Sequence, residues 1–148
     1  FVLIFFGPVA VGGTFYVQAL EITPVVIFAG LGPGLLATAL LAVNNLRDEP
    51  TDKKVGKLTL AVRFGTTFAR AEYLAALVFS AVIPFILAFW TETHWYACIS
   101  ALIIIPGFSS IRQIISGVKG SELNTTLAST GKLILIYGIL FSLGWWIG

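Results

Sequence analysis

Asn44, Asp48 and Asp52 recur every four residues within "NNLRDEPTDKKVGKLTLAVRFG", residues 44–65. On a helix, that spacing stacks side chains along one face, with about 6 Å between successive members. Carboxylates and amides gathered this way are hard oxygen donors. They suit Mg²⁺, which binds through one or two carboxylates plus substrate phosphates. Arg47, Lys53, Lys54, Lys57 and Arg63 interleave with them, and Arg70 follows just beyond. Carboxylates, Mg²⁺ and flanking cations together clamp a diphosphate and stabilise its charge as it leaves. Gly56, directly before Lys57, permits a tight turn. Pro50 interrupts helical hydrogen bonding, so Asp52 stands either on the same helix or on a new turn. The plainer alternative is a solvated loop whose acids balance its bases, because aspartates four apart occur on ordinary helices. Spacing alone leaves both readings open.

The elements that must position these residues are apolar. The chain has 148 residues, of which 57% are hydrophobic and 11% charged. Soluble domains carry about 25% charged residues, so the deficit points to a lipid bilayer as solvent. Five apolar runs cover 1–20, 24–43, 68–90, 95–111 and 133–147. Each approaches the ~20 residues that cross ~30 Å of hydrocarbon. Unbroken apolarity favours helices, whereas barrel strands alternate. The expected fold is an all-α, polytopic transmembrane helix bundle forming one domain over 1–148. Glycines and prolines inside the runs are tolerated in membrane helices, and small residues let backbones approach closely.

Orientation follows from charge. The connections around Glu21 and at 91–94 carry no Lys or Arg, while those at 44–67 and 112–132 carry nearly all of them. The positive-inside rule places these two connections in the cytoplasm. Trp90, Trp95, Trp145 and Trp146 then fall at the opposite interface, where indole rings favour the headgroup level. The expectation is a multi-pass membrane protein with its polar segment on the cytoplasmic face. A net charge of +2 without a basic stripe argues against nucleic acid as a partner. Cys98 is the single cysteine, so no internal disulfide framework exists. The sequence contains no methionine, and its opening residues lack the basic n-region of a signal peptide. It therefore reads as the C-terminal part of a longer membrane protein.

Other polar residues read as structural. His94, Glu21 and Glu92 lie in outer connections, and Glu72 sits near Arg70 with no assigned role. Tyr16, Thr14, Ser80 and Tyr137 are expected to bond backbone or neighbouring helices. Asn124 and the adjacent threonines read as turn and capping groups. A transporter would bury charge near the bilayer midplane, and no Asp, Glu, Lys or Arg falls mid-span here.

The central motif, NNxRDxxxDxxxGKxTLAVRxG, resembles the second aspartate-rich motif of the UbiA superfamily of intramembrane prenyltransferases. More narrowly, it is similar to the 1,4-dihydroxy-2-naphthoate polyprenyltransferases of menaquinone and phylloquinone synthesis. "FFGPVAVGGTFYVQ" is similar to that family's fifth helix, and "LNTTLASTGKLILIYGILFSLG" to its last. The resemblance implies nine helices around a cavity, of which this chain supplies helices five to nine. It also implies a first aspartate-rich motif in an N-terminal half of the same enzyme, so that the 148 residues alone form an inactive half-site. By the same resemblance, Asp48 and Asp52 hold Mg²⁺, and Asn44, Asn45, Arg47, Lys53, Lys57 and Arg63 bind diphosphate. The implied reaction moves a polyprenyl group from polyprenyl diphosphate to a naphthoate ring, with loss of carbon dioxide. A 4-hydroxybenzoate, homogentisate or chlorophyll-type acceptor is the alternative. The implied setting is a bacterial or cyanobacterial plasma or thylakoid membrane.

Overall fold

A computed structural model describes residues 1–148, and every element in it is helical. Five helices are long and apolar enough to cross a membrane. They are α1 (Val2–Ala19), α2 (Pro24–Lys54), α4 (Thr66–Thr91), α5 (Trp95–Ser116) and α6 (Leu123–Ile147). A short α3 (Leu60–Phe64) lies in the connection between α2 and α4. The fold is the all-α polytopic bundle expected from the apolar runs.

Three of the helices, α2, α5 and α6, extend well past those runs. α2 continues unbroken from Leu31 to Lys54, straight through Pro50. Pro50 forfeits one bond, to the carbonyl four residues earlier, and the helix holds. Leu46 is buried in the core one turn before it. Asn44, Asp48 and Asp52 therefore share one helix. α6 begins at Leu123, ten residues before the last apolar run. Its polar first turns, with Thr126 and Thr130 fully buried, carry too few apolar residues to register as a span by composition.

Local chemistry sets the other boundaries. Thr23 caps α2, its hydroxyl accepting from the Val26 N–H at 3.2 Å, with Pro24 in the first helical turn. Thr59 caps α3 in the same way through the Val62 N–H. The first half of α5, Trp95–Ile103, is a 3₁₀ helix. With three residues per turn, every third side chain eclipses, and Ala97, Ser100 and Ile103 are the buried ones. That narrow edge packs on α4 and α6.

α1 crosses α2 through glycines. At Pro8 the helix widens into a π turn over Phe5–Val9, with Gly7 outside helical φ/ψ. A Cβ on Gly7 would stand 2.6 Å from the Gly30 carbonyl oxygen, and one on Gly34 would collide with the Leu3 carbonyl. Only bare backbones fit there.

The core lies among α2, α4, α5 and α6. Leu36, Val43, Tyr73, Leu77, Ile103, Ile114 and Tyr137 are all buried in it. Tyr73 and Thr130 hydroxyls bond at 3.2 Å across it, joining α4 to α6. At the tryptophan end, His94 is more than an outer-loop surface group. Its ring stacks on Trp145 with 4.0 Å between centroids, and its Nδ1 lies 3.0 Å from the Trp145 carbonyl oxygen.

Candidate functional site: a polar head pocket opening on an apolar trough

The site begins with α2 and its exit. Residues Lys53 to Lys57 close the helix with two reversed bonds: Gly56 N–H to the Lys53 carbonyl at 3.3 Å, and Lys57 N–H to the Asp52 carbonyl at 2.9 Å. This is a Schellman turn, and it requires a left-handed residue just past the cap. Gly56 supplies it, with φ at +72°. The turn folds Lys57 back over the last helical turn, so its Nζ reaches both Asp52 oxygens at 3.2 Å. Asp52 is buried, but more than half of the Lys57 side chain is exposed.

One turn earlier, Arg47 forks onto its neighbour. Its Nε donates to Asp48 Oδ1 at 2.7 Å and its Nη2 to Asp48 Oδ2 at 2.8 Å. Nη2 also donates to Asn44 Oδ1 at 2.9 Å, and Nη1 to Asn124 Oδ1 at 3.1 Å. Four of the guanidinium's five N–H groups are thus committed. Two of these bonds make the bidentate carboxylate pairing for which arginine is suited.

The structure therefore brings Asn44, Arg47 and Asp48 into one network and sets Asp52 with Lys57 in a second, one turn along the same helix. Three other motif residues stand outside both. Asn45 is buried without a side-chain hydrogen bond, and Lys53 is exposed without an anionic partner. Arg63 lies on α3, its guanidinium 5.8 Å from the Phe64 ring centroid. Asn124 was not legible as part of the site. It looked like a cap, but it sits inside α6 and reaches Arg47 from the far end of the chain. Its only signal in the sequence is an amide at the start of the polar stretch that leads into the last apolar run.

Two cavities flank this network, linked by the Arg47–Asn44 hydrogen bond. One, of about 440 Å³, is lined entirely by non-hydrophobic residues: Arg47, Asp48, Pro50, Thr51, Gly120, Ser121 and Asn124. The other begins at Asn44 as an apolar hollow of about 490 Å³ against Phe6, Leu40 and Leu127. At Pro33 and Ile134 it runs into a larger one of about 770 Å³ between α1, α2 and α6. At Val11, Ala29 and Phe141 that hollow continues toward Trp145 and Trp146. The result is a greasy trough along the bundle with a charged pocket at one end. Its chemistry matches an amphiphile with an anionic head and a long apolar tail.

Mg²⁺ fits the donors with one restriction. Asp48 and Asp52 offer hard oxygens, but no group of three acidic, His or Cys side chains surrounds any point. Two carboxylates do not make an all-protein cage. They match the habit of Mg²⁺ to complete its shell with substrate phosphates and water.

Fold and site together define an intramembrane helical bundle with a polar pocket beside an apolar trough. The model of the UbiA prenyltransferase family matches residues 1–123, and the chain belongs to that family. It is 38% identical to the 1,4-dihydroxy-2-naphthoate octaprenyltransferase of Haemophilus influenzae, over 99% of this chain and 48% of that protein. Against the enzyme of the same name from Mycobacterium tuberculosis it is 38% identical, over 93% of this chain and 46% of the relative. The human UbiA prenyltransferase domain-containing protein 1 is 33% identical over 97% and 40%, respectively. The chain thus spans about half the length of the curated relatives it matches. No solved structure matches it.

Proposed function

We propose that this chain forms one half of the active site of a prenyltransferase that moves a polyprenyl group from its diphosphate to 1,4-dihydroxy-2-naphthoate. The product, after loss of the ring carboxylate as carbon dioxide, is a demethylated menaquinone or its phytyl equivalent. The observation that carries this reading is the Arg47–Asn44 hydrogen bond, which ties a wall of the non-hydrophobic pocket of Arg47, Asp48 and Asn124 to the head of the apolar trough. The names of the bacterial relatives supply the acceptor.

In the mechanism, Arg47 and Lys57 receive the diphosphate, and Asn44 and Asn124 hold the guanidinium aimed at it. Asp48 and Asp52 would hold the metal. Mg²⁺, when bound, neutralises charge on the departing diphosphate. Loss of the diphosphate leaves an allylic cation, and the electron-rich ring attacks it. The trough lies against the tail and keeps water from the cation, which water would otherwise capture. The first aspartate-rich motif, from the remaining half of the enzyme, would complete the clamp, so that these residues alone are inactive. The basic end of the bundle faces the cytoplasm of a bacterial cell.

The test is an assay of the full-length enzyme with octaprenyl diphosphate, dihydroxynaphthoate and Mg²⁺. Prenylated naphthoquinol should form, and Asp48→Ala should abolish it while membrane insertion persists. Turnover of 4-hydroxybenzoate in place of the naphthoate would reassign the acceptor. Full activity of Asp48→Ala would remove the clamp.

A further inference from the structure

Both aspartates of the motif already have a cation. Arg47 covers both oxygens of Asp48, and Lys57 reaches both oxygens of Asp52. These are the two salt bridges of the whole chain. Each partner comes from the same short segment, one by adjacency and the other through the Gly56 turn. The four charges cancel, so a dication approaching the segment meets two carboxylates whose field is already quenched. Neither cation is sealed in, however. About a quarter of the Arg47 side chain and more than half of that of Lys57 are exposed. Both pairs are part-buried, with the cation side open to solvent, so an incoming polyanion can reach each cation.

Arg47 is also held from behind. Asn44 and Asn124 each accept from its terminal nitrogens. If the guanidinium gave up Asp48, these two amides would keep it at the pocket wall. A diphosphate offers an arginine the same bidentate geometry as a carboxylate, with more charge.

We infer that Arg47 and Lys57 are exchangeable counter-ions: they occupy Asp48 and Asp52 until diphosphate arrives, then transfer to it and free the carboxylates for the metal. Metal and diphosphate consequently bind as a coupled pair, and the coupling resides in these two cations. No covalent step is involved. The inference rests on the proposed diphosphate site and adds to it a rule for the order of loading.

The experiment uses the full-length enzyme in nanodiscs of uncharged lipid, with Mn²⁺ followed by electron paramagnetic resonance and inorganic diphosphate as the anion. In the wild type, Mn²⁺ alone should bind weakly and diphosphate should strengthen it. Arg47→Gln should tighten Mn²⁺ binding in the absence of diphosphate by roughly fivefold to tenfold, the effect of removing one nearby positive charge. The same change should shrink the gain that diphosphate brings. Lys57→Gln provides an independent second measurement at the other pair, should the first variant fold poorly. Unchanged or weaker binding of Mn²⁺ alone in both variants would overturn the exchange. Equal Mn²⁺ affinity with and without diphosphate in the wild type would do the same. A wild type that binds neither Mn²⁺ nor its diphosphate complex would instead overturn the functional reading beneath it.

Discussion

Arg47 and Asn124 lie 77 positions apart and share a hydrogen bond of 3.1 Å. That bond ties the polar end of α2 to the first turns of α6. It turns a motif carried by one helix into a pocket with two walls.

Asn124→Ala should therefore weaken diphosphate binding about fivefold, the loss of roughly 1 kcal/mol from one solvent-exposed hydrogen bond. The effect should appear in the KM for prenyl diphosphate more than in kcat. Asn124→Asp should be worse, because a carboxylate there competes with the substrate for Arg47. Steady-state kinetics of the full enzyme with varied donor checks both.

Gly56→Ala should lower activity without touching any substrate contact. A φ of +72° costs an L-residue about 1–2 kcal/mol. Relief of that strain opens the turn and carries Lys57 away from Asp52. Gly56→Asn, which tolerates the left-handed region better, should retain more activity than Gly56→Ala. Parallel assays of the two variants test the order.

At the α1–α2 crossing, Gly34→Val should reduce thermal stability by about 1–3 kcal/mol, because the obstruction is backbone and cannot rotate away. Gly13 has open space around it, and Gly13→Ala should be neutral or slightly stabilising. Melting curves in detergent compare them directly.

Ile134→Trp should narrow the trough where its two main hollows join at Pro33. Donors whose tails stop short of that point should react nearly normally, and longer ones should lose kcat/KM. A series of prenyl diphosphates of increasing length provides the readout.

The five spans were legible because uninterrupted apolar runs leave few alternatives to membrane helices. The central segment was legible too, since polar ligand types at helical spacing are rare in such a chain. The continuation of α2 through Pro50 was not. A proline argues locally for a break, whereas the packing of Leu46 into the core is a tertiary fact. The early start of α6 was hidden for a related reason: Thr126 and Thr130 read as loop chemistry until the helices that bury them are assembled. Asn124 marks the same limit at the site. Its partner is fixed by how α6 packs beside α2, and no spacing rule reaches across that distance.

The trough follows α2 from Asn44 back to Val25. Nineteen residues at about 1.5 Å each make roughly 28 Å, close to the full depth of a bilayer's hydrocarbon. A tail laid along it stands upright among the lipid chains, parallel to them. In the proposed enzyme, the donor would enter by sliding sideways within the bilayer and would keep its alignment. The membrane itself would then have performed much of the orienting before the protein makes its first contact.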